Sequence, residues 1–157
     1  MVIKKLHVAS GDAAKLDDIL CFAIYSANLT VNRLYKPLLD ELGLTYPQYL
    51  VLVALYEQDS QTVGNLGDKL FLDSSTLTPL LKRMEGAGYL TRQRNPEDER
   101  QVRIRLTRQG RTAREKSMPY LDGLVRASGL DPTRYRQLHD EVANLRKNLL
   151  NAALAQQ

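Results

Sequence analysis

A single cysteine, Cys21, rules out an intramolecular disulfide and any zinc centre built from several thiolates. The two histidines, His7 and His139, are too few and too far apart to suggest a metal centre, and both are expected at the surface or at an interface. No sequence feature calls for a cofactor. The chain has no tryptophan, no low-complexity tract and no repeat. It also lacks any apolar run near the roughly 18 residues that a membrane helix needs. The start, Met1 to Leu6, leads into Asp12, Asp17 and Asp18 rather than a long apolar stretch, so no signal peptide is expected and the predicted compartment is the cytoplasm. What remains is the composition of a folded protein, 43% hydrophobic and 25% charged, enough for a sizeable core and unlike a disordered chain.

The net charge is only +4, but it is unevenly spread. Between Lys82 and Lys116 there are eleven basic and five acidic residues, whereas the rest of the chain carries eleven and thirteen. A basic surplus confined to one segment is the electrostatic footprint of a polyanion-binding face, although a solvated helix face explains the charge alone equally well.

Periodicity gives the organisation. Leu16, Ile19, Leu20, Ala23, Ile24 and Ala27 recur at helical spacing from Asp12 to about Asn28, and the pattern can continue to Leu38 with Pro37 bending or interrupting it. Gly43 breaks it. Thr45 then reads as an N-cap with Pro47 in the first turn, and Gln48 to about Glu57 is apolar on most sides, as a central core helix would be. Thr62 caps a short third helix with Leu66 and Leu70. Phe71-Leu72-Asp73 forms a turn before a fourth helix with the stripe Leu77, Leu80, Leu81 and Met84. Pro79 either bends this helix or marks a later start, and Gly86 and Gly88 end it. Tyr89–Arg94 and Val102–Leu106 alternate around a polar turn, which predicts a β-hairpin with a charged tip. A helix follows Gly110 to about Ala127, with Pro119 a possible disturbance. Asp131-Pro132 opens a last helix bearing Tyr135, Leu138, Val142, Leu145 and Leu149.

Two helices joined by a short turn and followed at once by an arginine-rich hairpin make a winged helix-turn-helix, here roughly Gln61 to Thr107. The expected fold is therefore mainly α with a small β-wing. Such a helix fits the major groove of double-stranded DNA, where base edges carry a readable pattern. Ser74, Ser75, Thr76 and Thr78, near the start of the fourth helix, suit contacts to phosphates and nearby base edges, though each taken alone is explained as well by capping. Lys82 and Arg83 lie further along and suit phosphates. Arg100, near the hairpin tip, suits a narrow minor groove.

Asp98-Glu99-Arg100, then Ile104, Leu106-Thr107 and Gly110, resembles the MarR family signature D-x-R-x(3)-I-x-L-T-x(2)-G. Leu66–Leu70 through Leu80–Glu85 resembles the same family, and the likeness runs from about Leu16 to Gly110. It implies one MarR-type domain over residues 1–157, with dimerisation helices at 12–45 and 111–157 and the winged helix at 46–110. It also implies that Arg100 enters the minor groove and that Asp98 helps to hold the wing.

Cys21 on an amphipathic helix would by itself be read as a small buried hydrophobe. Its surroundings, Leu20–Ala27, together with Leu44–Leu52 and Leu72–Arg83, resemble the organic-hydroperoxide-sensing OhrR subgroup. The resemblance implies that Cys21 is a peroxide sensor whose sulfur is hydrogen-bonded by Tyr35 and Tyr46 across a dimer interface. The chemistry agrees, since a phenol O–H can stabilise a thiolate and a thiolate attacks a peroxide O–O bond to give a sulfenic acid. Apolar neighbours such as Leu20, Phe22 and Ile24 would favour alkyl or lipid hydroperoxides over hydrogen peroxide. Two-cysteine members of the subgroup carry a resolving cysteine on a later helix, and this chain has none. Either a small cellular thiol completes the switch, or that cysteine has been replaced, Ser117 and Ser128 being the only late serines.

The expected protein is thus a homodimeric repressor of a pseudo-palindromic operator, released by organic hydroperoxides. A repressor released by a small aromatic ligand, and a thiol peroxidase, are the competing readings. An enzyme would need a recycling route and has no use for the basic wing. The apolar stripes of the first and last helices exceed what a winged helix can cover, which calls for a second subunit.

Overall fold

The computed structural model describes residues 15–95 and 98–156, with the side chains of Asn95, Glu99 and Arg100 also left out. Six α-helices carry the described residues: α1 (Leu20–Leu42), α2 (Tyr46–Glu57), α3 (Val63–Leu70), α4 (Ser74–Gly86), α5 (Arg108–Ala127) and α6 (Pro132–Leu154). The strands β1 (Gln61–Thr62), β2 (Leu90–Asn95) and β3 (Asp98–Leu106) form one antiparallel sheet in the order β1-β3-β2. Within the described residues this is the mainly helical winged-helix arrangement that the sequence predicts.

The first helix differs from expectation in its limits. Leu16–Asp18 forms a single 3-10 turn, and α1 starts only at Leu20 but then runs unbroken through Pro37 to Leu42. Pro37 thus neither interrupts nor ends it. Gly43, in the left-handed region at φ 61°, closes it, with Leu44 N–H donating back to Leu39 O at 2.9 Å. Thr45 begins α2, its N–H donating to the Gln48 side-chain oxygen at 2.8 Å. Apolar on most sides, α2 fills the centre of the core: Tyr49, Val51, Leu52, Ala54 and Leu55 are all buried. Leu38, Leu66, Leu77, Leu81, Met84, Leu90 and Ile104 close around it.

The β1 strand has no counterpart in the sequence reading, because two residues leave no periodicity to detect. It pairs Gln61 with Ile104 and Thr62 with Arg103. Buried Gln61 reinforces the junction, its Nε2 donating to Ala54 O at 2.8 Å and Gln58 O at 2.7 Å. Beside it, the Asp59 carboxylate accepts from Ser60 N–H and Leu106 N–H and pairs with Arg111, tying the loop after α2 to the root of the wing. Two glycines permit close approach. A Cβ on Gly67 would lie 2.7 Å from Leu72 O, and one on Gly110 would collide with Tyr89 O. Pro79 and Pro119 lie inside α4 and α5 without ending either helix. The last-but-one helix starts at Arg108 rather than after Gly110, with Thr107 Oγ1 accepting from Gly110 N–H at 3.1 Å. None of the described helices is long and apolar enough to cross a membrane.

Candidate nucleic-acid interface and thiol site

Thr62 caps α3 by accepting from Asn65 N–H, and Asp73 caps α4 by accepting from Thr76 N–H at 2.7 Å. Between them lies a three-residue turn in which Phe71 takes the left-handed conformation, φ 57°. That position usually belongs to glycine, and a bulky residue there costs roughly 1–2 kcal/mol. The fourth helix buries Leu77, Leu81 and Met84 and so turns its opposite side outward. At about 100° per residue, Ser75, Thr76, Thr78, Lys82 and Arg83 fall on that outward side, with Thr78 half-buried and the others exposed. Ser74 is exposed too, but it lies nearer the Leu81 side, in the first turn. Lys82 and Arg83 form no ion pair among the described residues, leaving both charges available to an external anion.

The hydroxyls of Ser75 and Thr76 are already engaged. Ser75 Oγ donates to Asp73 at 2.5 Å and Thr76 Oγ1 at 3.2 Å. With the Ser75 hydroxyl first and the Thr76 N–H next, these bonds hold the Asp73 carboxyl below its ordinary value, so the cap is ionised at neutral pH. The same residues therefore complete the cap of α4 and stand on its outward side. Each hydroxyl still has lone pairs to offer a donor on a base edge.

The wing is the hairpin of β2 and β3, with a register irregularity between Arg94 and Asn95. Asp98 sits at its distal end, opposite Asn95, and accepts from Gln101 Nε2 at 3.1 Å. Arg100 belongs to β3, but its side chain lies outside the described residues. The Glu85 carboxylate accepts from Arg92 N–H at 3.0 Å, which fixes the wing against the end of α4.

Cys21 is exposed at the start of α1 and has no partner sulfur. Around it Leu16, Ile19, Leu20, Ile24 and Tyr25 stand exposed. Tyr35 and Tyr46 come together, with ring centroids 5.4 Å apart and edge on, so α1 and α2 meet at this pair. Tyr49 completes a cluster, 5.4 Å from Tyr35 and 6.1 Å from Tyr46. Burial, and then the neighbouring Tyr49, push the phenols of both Tyr35 and Tyr46 above the ordinary 10.0; Tyr135 of α6 adds to both shifts. These groups stay protonated, as hydrogen-bond donors, throughout the physiological range. The cluster does not include Cys21. Tyr35 lies fourteen residues further along the same helix, about 21 Å away at 1.5 Å per residue.

A model of the transcriptional regulator SarA/Rot family matches residues 33–116. The organic hydroperoxide resistance transcriptional regulator of Bacillus subtilis is 48% identical over 123 residues, 76% of this chain and 84% of that protein. The HTH-type transcriptional regulator TtmR of Methylorubrum extorquens is 46% identical over 140 residues, 88% of this chain and 71% of that protein. The chain belongs to the MarR/SarA-type family of winged-helix, DNA-binding transcriptional regulators. Among solved structures, reduced AbfR bound to DNA superposes with a TM-score of 0.71 at 35% identity, covering 86% of this chain and 94% of that one.

In a regulator of this family several residues beyond those legible in the sequence bear on the site. Tyr49 is 1% exposed and its hydroxyl has no hydrogen-bond partner among the described residues. Its spacing of three from Tyr46 was a signal of a shared helix face, masked by the apolar run around it. Arg114 of α5 is buried at 9% exposure, donates to Ser117 Oγ at 3.1 Å and stands 5.8 Å over the Tyr56 ring. Nothing in its sequence context separates it from the other basic residues of the segment. His139 is exposed beside Asp140, 2.9 Å away, as expected of a surface histidine, and His7 lies outside the described residues.

Proposed function

We propose that this regulator is a homodimeric repressor that binds a pseudo-palindromic operator and releases it when an organic hydroperoxide oxidises Cys21. One observation carries the reading. The cysteine stands at one end of α1, on an apolar face, and Tyr35 stands about 21 Å along the same helix, paired with Tyr46 of α2. A second copy, packed in the opposite sense on those apolar faces, brings Cys21 of one subunit against the α1–α2 junction of the other, where Tyr46 is half-buried and Tyr35 opens to the sulfur only as the interface forms. The exposed Leu138, Val142, Leu149 and Leu154 of α6 support burial of that end region in a dimer.

The thiolate of Cys21 attacks the outer oxygen of the hydroperoxide. A sulfur–oxygen bond forms, the O–O bond breaks, and the departing alkoxide takes a proton to leave as an alcohol. Sulfur is oxidised to a sulfenic acid and the peroxide is reduced. Phenol O–H groups donate to the anionic sulfur before the reaction and lose that acceptor after it, so the interface they join must repack. A small cellular thiol can then condense with the sulfenic acid, releasing water. The named function of the Bacillus relative supports this reading.

On the DNA side, Ser74, Ser75, Thr76 and Thr78 approach the major groove, Lys82 and Arg83 meet phosphates, and Arg100, steadied by Asp98, enters the minor groove. The test is a mobility-shift titration with cumene hydroperoxide. The wild-type protein releases its DNA, while Cys21→Ser keeps it. Retention of DNA by a wild-type protein whose Cys21 is shown to be oxidised would overturn the proposal. Release of the Cys21→Ser variant by a small aromatic acid would favour the ligand-gated reading instead.

A further inference from the structure

The sixth helix is exposed along its length, without one fully buried residue, yet it touches the reading head at a telling place. The Arg146 guanidinium carbon lies 4.4 Å from the centroid of the Phe71 ring. Phe71 is the turn residue between α3 and α4, 56% exposed and held at φ 57°. A large aromatic residue is a poor choice for an exposed left-handed position on local grounds, where glycine or asparagine is favoured. A cation stacked on its face gives it a use. Eleven residues earlier on the same helix, about 16 Å away, Tyr135 lies close enough to Tyr35 and Tyr46 to act on their charge. The helix therefore spans from the tyrosine cluster to the turn that sets the direction of α4.

We infer that Arg146 is a positioning residue for DNA recognition: stacked on Phe71, it fixes how each subunit presents α4 relative to the two-fold axis. The inference rests on the dimeric reading above. In a two-fold dimer the distance between the two α4 helices must match one spacing of half-sites. A link from the end region to the turn holds that distance. It also supplies a path by which repacking around the tyrosines reaches the head, since a rigid helix displaced at Tyr135 moves at Arg146.

The probe is the duplex that the reduced wild-type protein enriches from a random-sequence library. It is compared with the same duplex cut to one half-site, and with its spacer lengthened by one base pair. Arg146→Ala is expected to weaken binding to the full site by roughly two- to thirty-fold, the range of a cation–π contact, and to leave half-site binding unchanged. The penalty for the longer spacer is expected to shrink. Phe71→Leu, which keeps an apolar side chain but removes the ring, should behave alike, and Arg146→Lys should retain most of the wild-type preference. Melting curves separate these effects from unfolding, and Phe71→Leu decides the matter should Arg146→Ala fold poorly. Wild-type affinity and an unchanged spacer penalty in both variants would overturn the inference. So would an equal loss on full and half-sites, which would mean that Arg146 touches DNA or only supports the head. A wild-type protein with no preference for the full site overturns the dimeric reading, and this inference with it.

Discussion

Cys21 and Tyr35 lie fourteen residues apart on one continuous helix, about 21 Å from each other, so neither can reach the other within a single chain. On the proposed reading, sensing is then a property of two subunits, and that has a direct test. In a heterodimer of Cys21→Ser with Tyr35→Phe/Tyr46→Phe, pairing between subunits leaves one intact site and one doubly damaged site. Pairing within a subunit would leave none. The expected outcome is wild-type oxidation rate at the one remaining Cys21, followed by mass spectrometry of the sulfenic acid. The Tyr35→Phe/Tyr46→Phe homodimer should be slower by roughly tenfold or more, the value of a hydrogen bond to a charged group.

Burial of Tyr35 also makes a prediction about alkaline pH. Its phenol ionises above the ordinary 10.0, so the folded state keeps a proton that the unfolded state loses. The stabilisation is fully present below pH 10 and is lost as pH rises beyond it towards the folded value. Thermal unfolding between pH 9 and 11 should show the wild-type melting temperature falling above pH 10. The Tyr35→Phe variant should fall less steeply. Parallel curves would mean that the phenol is not protected as its burial implies.

The root of the wing depends on Gly110. A methyl group there would collide with the Tyr89 carbonyl, a backbone atom of the adjoining β2 segment that cannot rotate away. Gly110→Ala should lower unfolding free energy by about 1–3 kcal/mol, as overpacked sites do. Denaturant titration checks this, and a loss within experimental error would show that α5 can shift away at little cost.

Lys82 and Arg83 are free of ion pairs among the described residues and stand on the outward side of α4. Substituting either by alanine should weaken binding to all duplexes alike. Each should also reduce the slope of log affinity against log salt by about one. A change in base preference without a change in slope would reassign that residue from phosphate to base contact.

Much of this was legible in the sequence because it rests on short-range rules. Gly43 ends α1, Thr62 and Asp73 cap their helices, and the alternation around residues 90–106 gives the wing, all through contacts within a few residues. The outward residues of α4 followed from helical spacing, whereas the side chain of Arg100 lies outside the described residues. Pro37, Pro79 and Pro119 were ambiguous, because a proline inside a helix is tolerated or not according to what packs beside it. Two-residue β1 was invisible, since it exists only by pairing with β3.

The sequence by itself determined the order of the helices and the wing hairpin, the position of the single cysteine and the basic character of one segment. Tertiary structure alone decided what those groups face. Tyr49 joins Tyr35 and Tyr46 because α1 and α2 pack with their tyrosines inward, and burial raises two of those phenols and keeps them donors. Arg146 reaches Phe71, 75 residues away, because α6 returns to the reading head. A local pattern fixes which residues share a helix face, but the partner of that face is set by packing between segments distant in the chain.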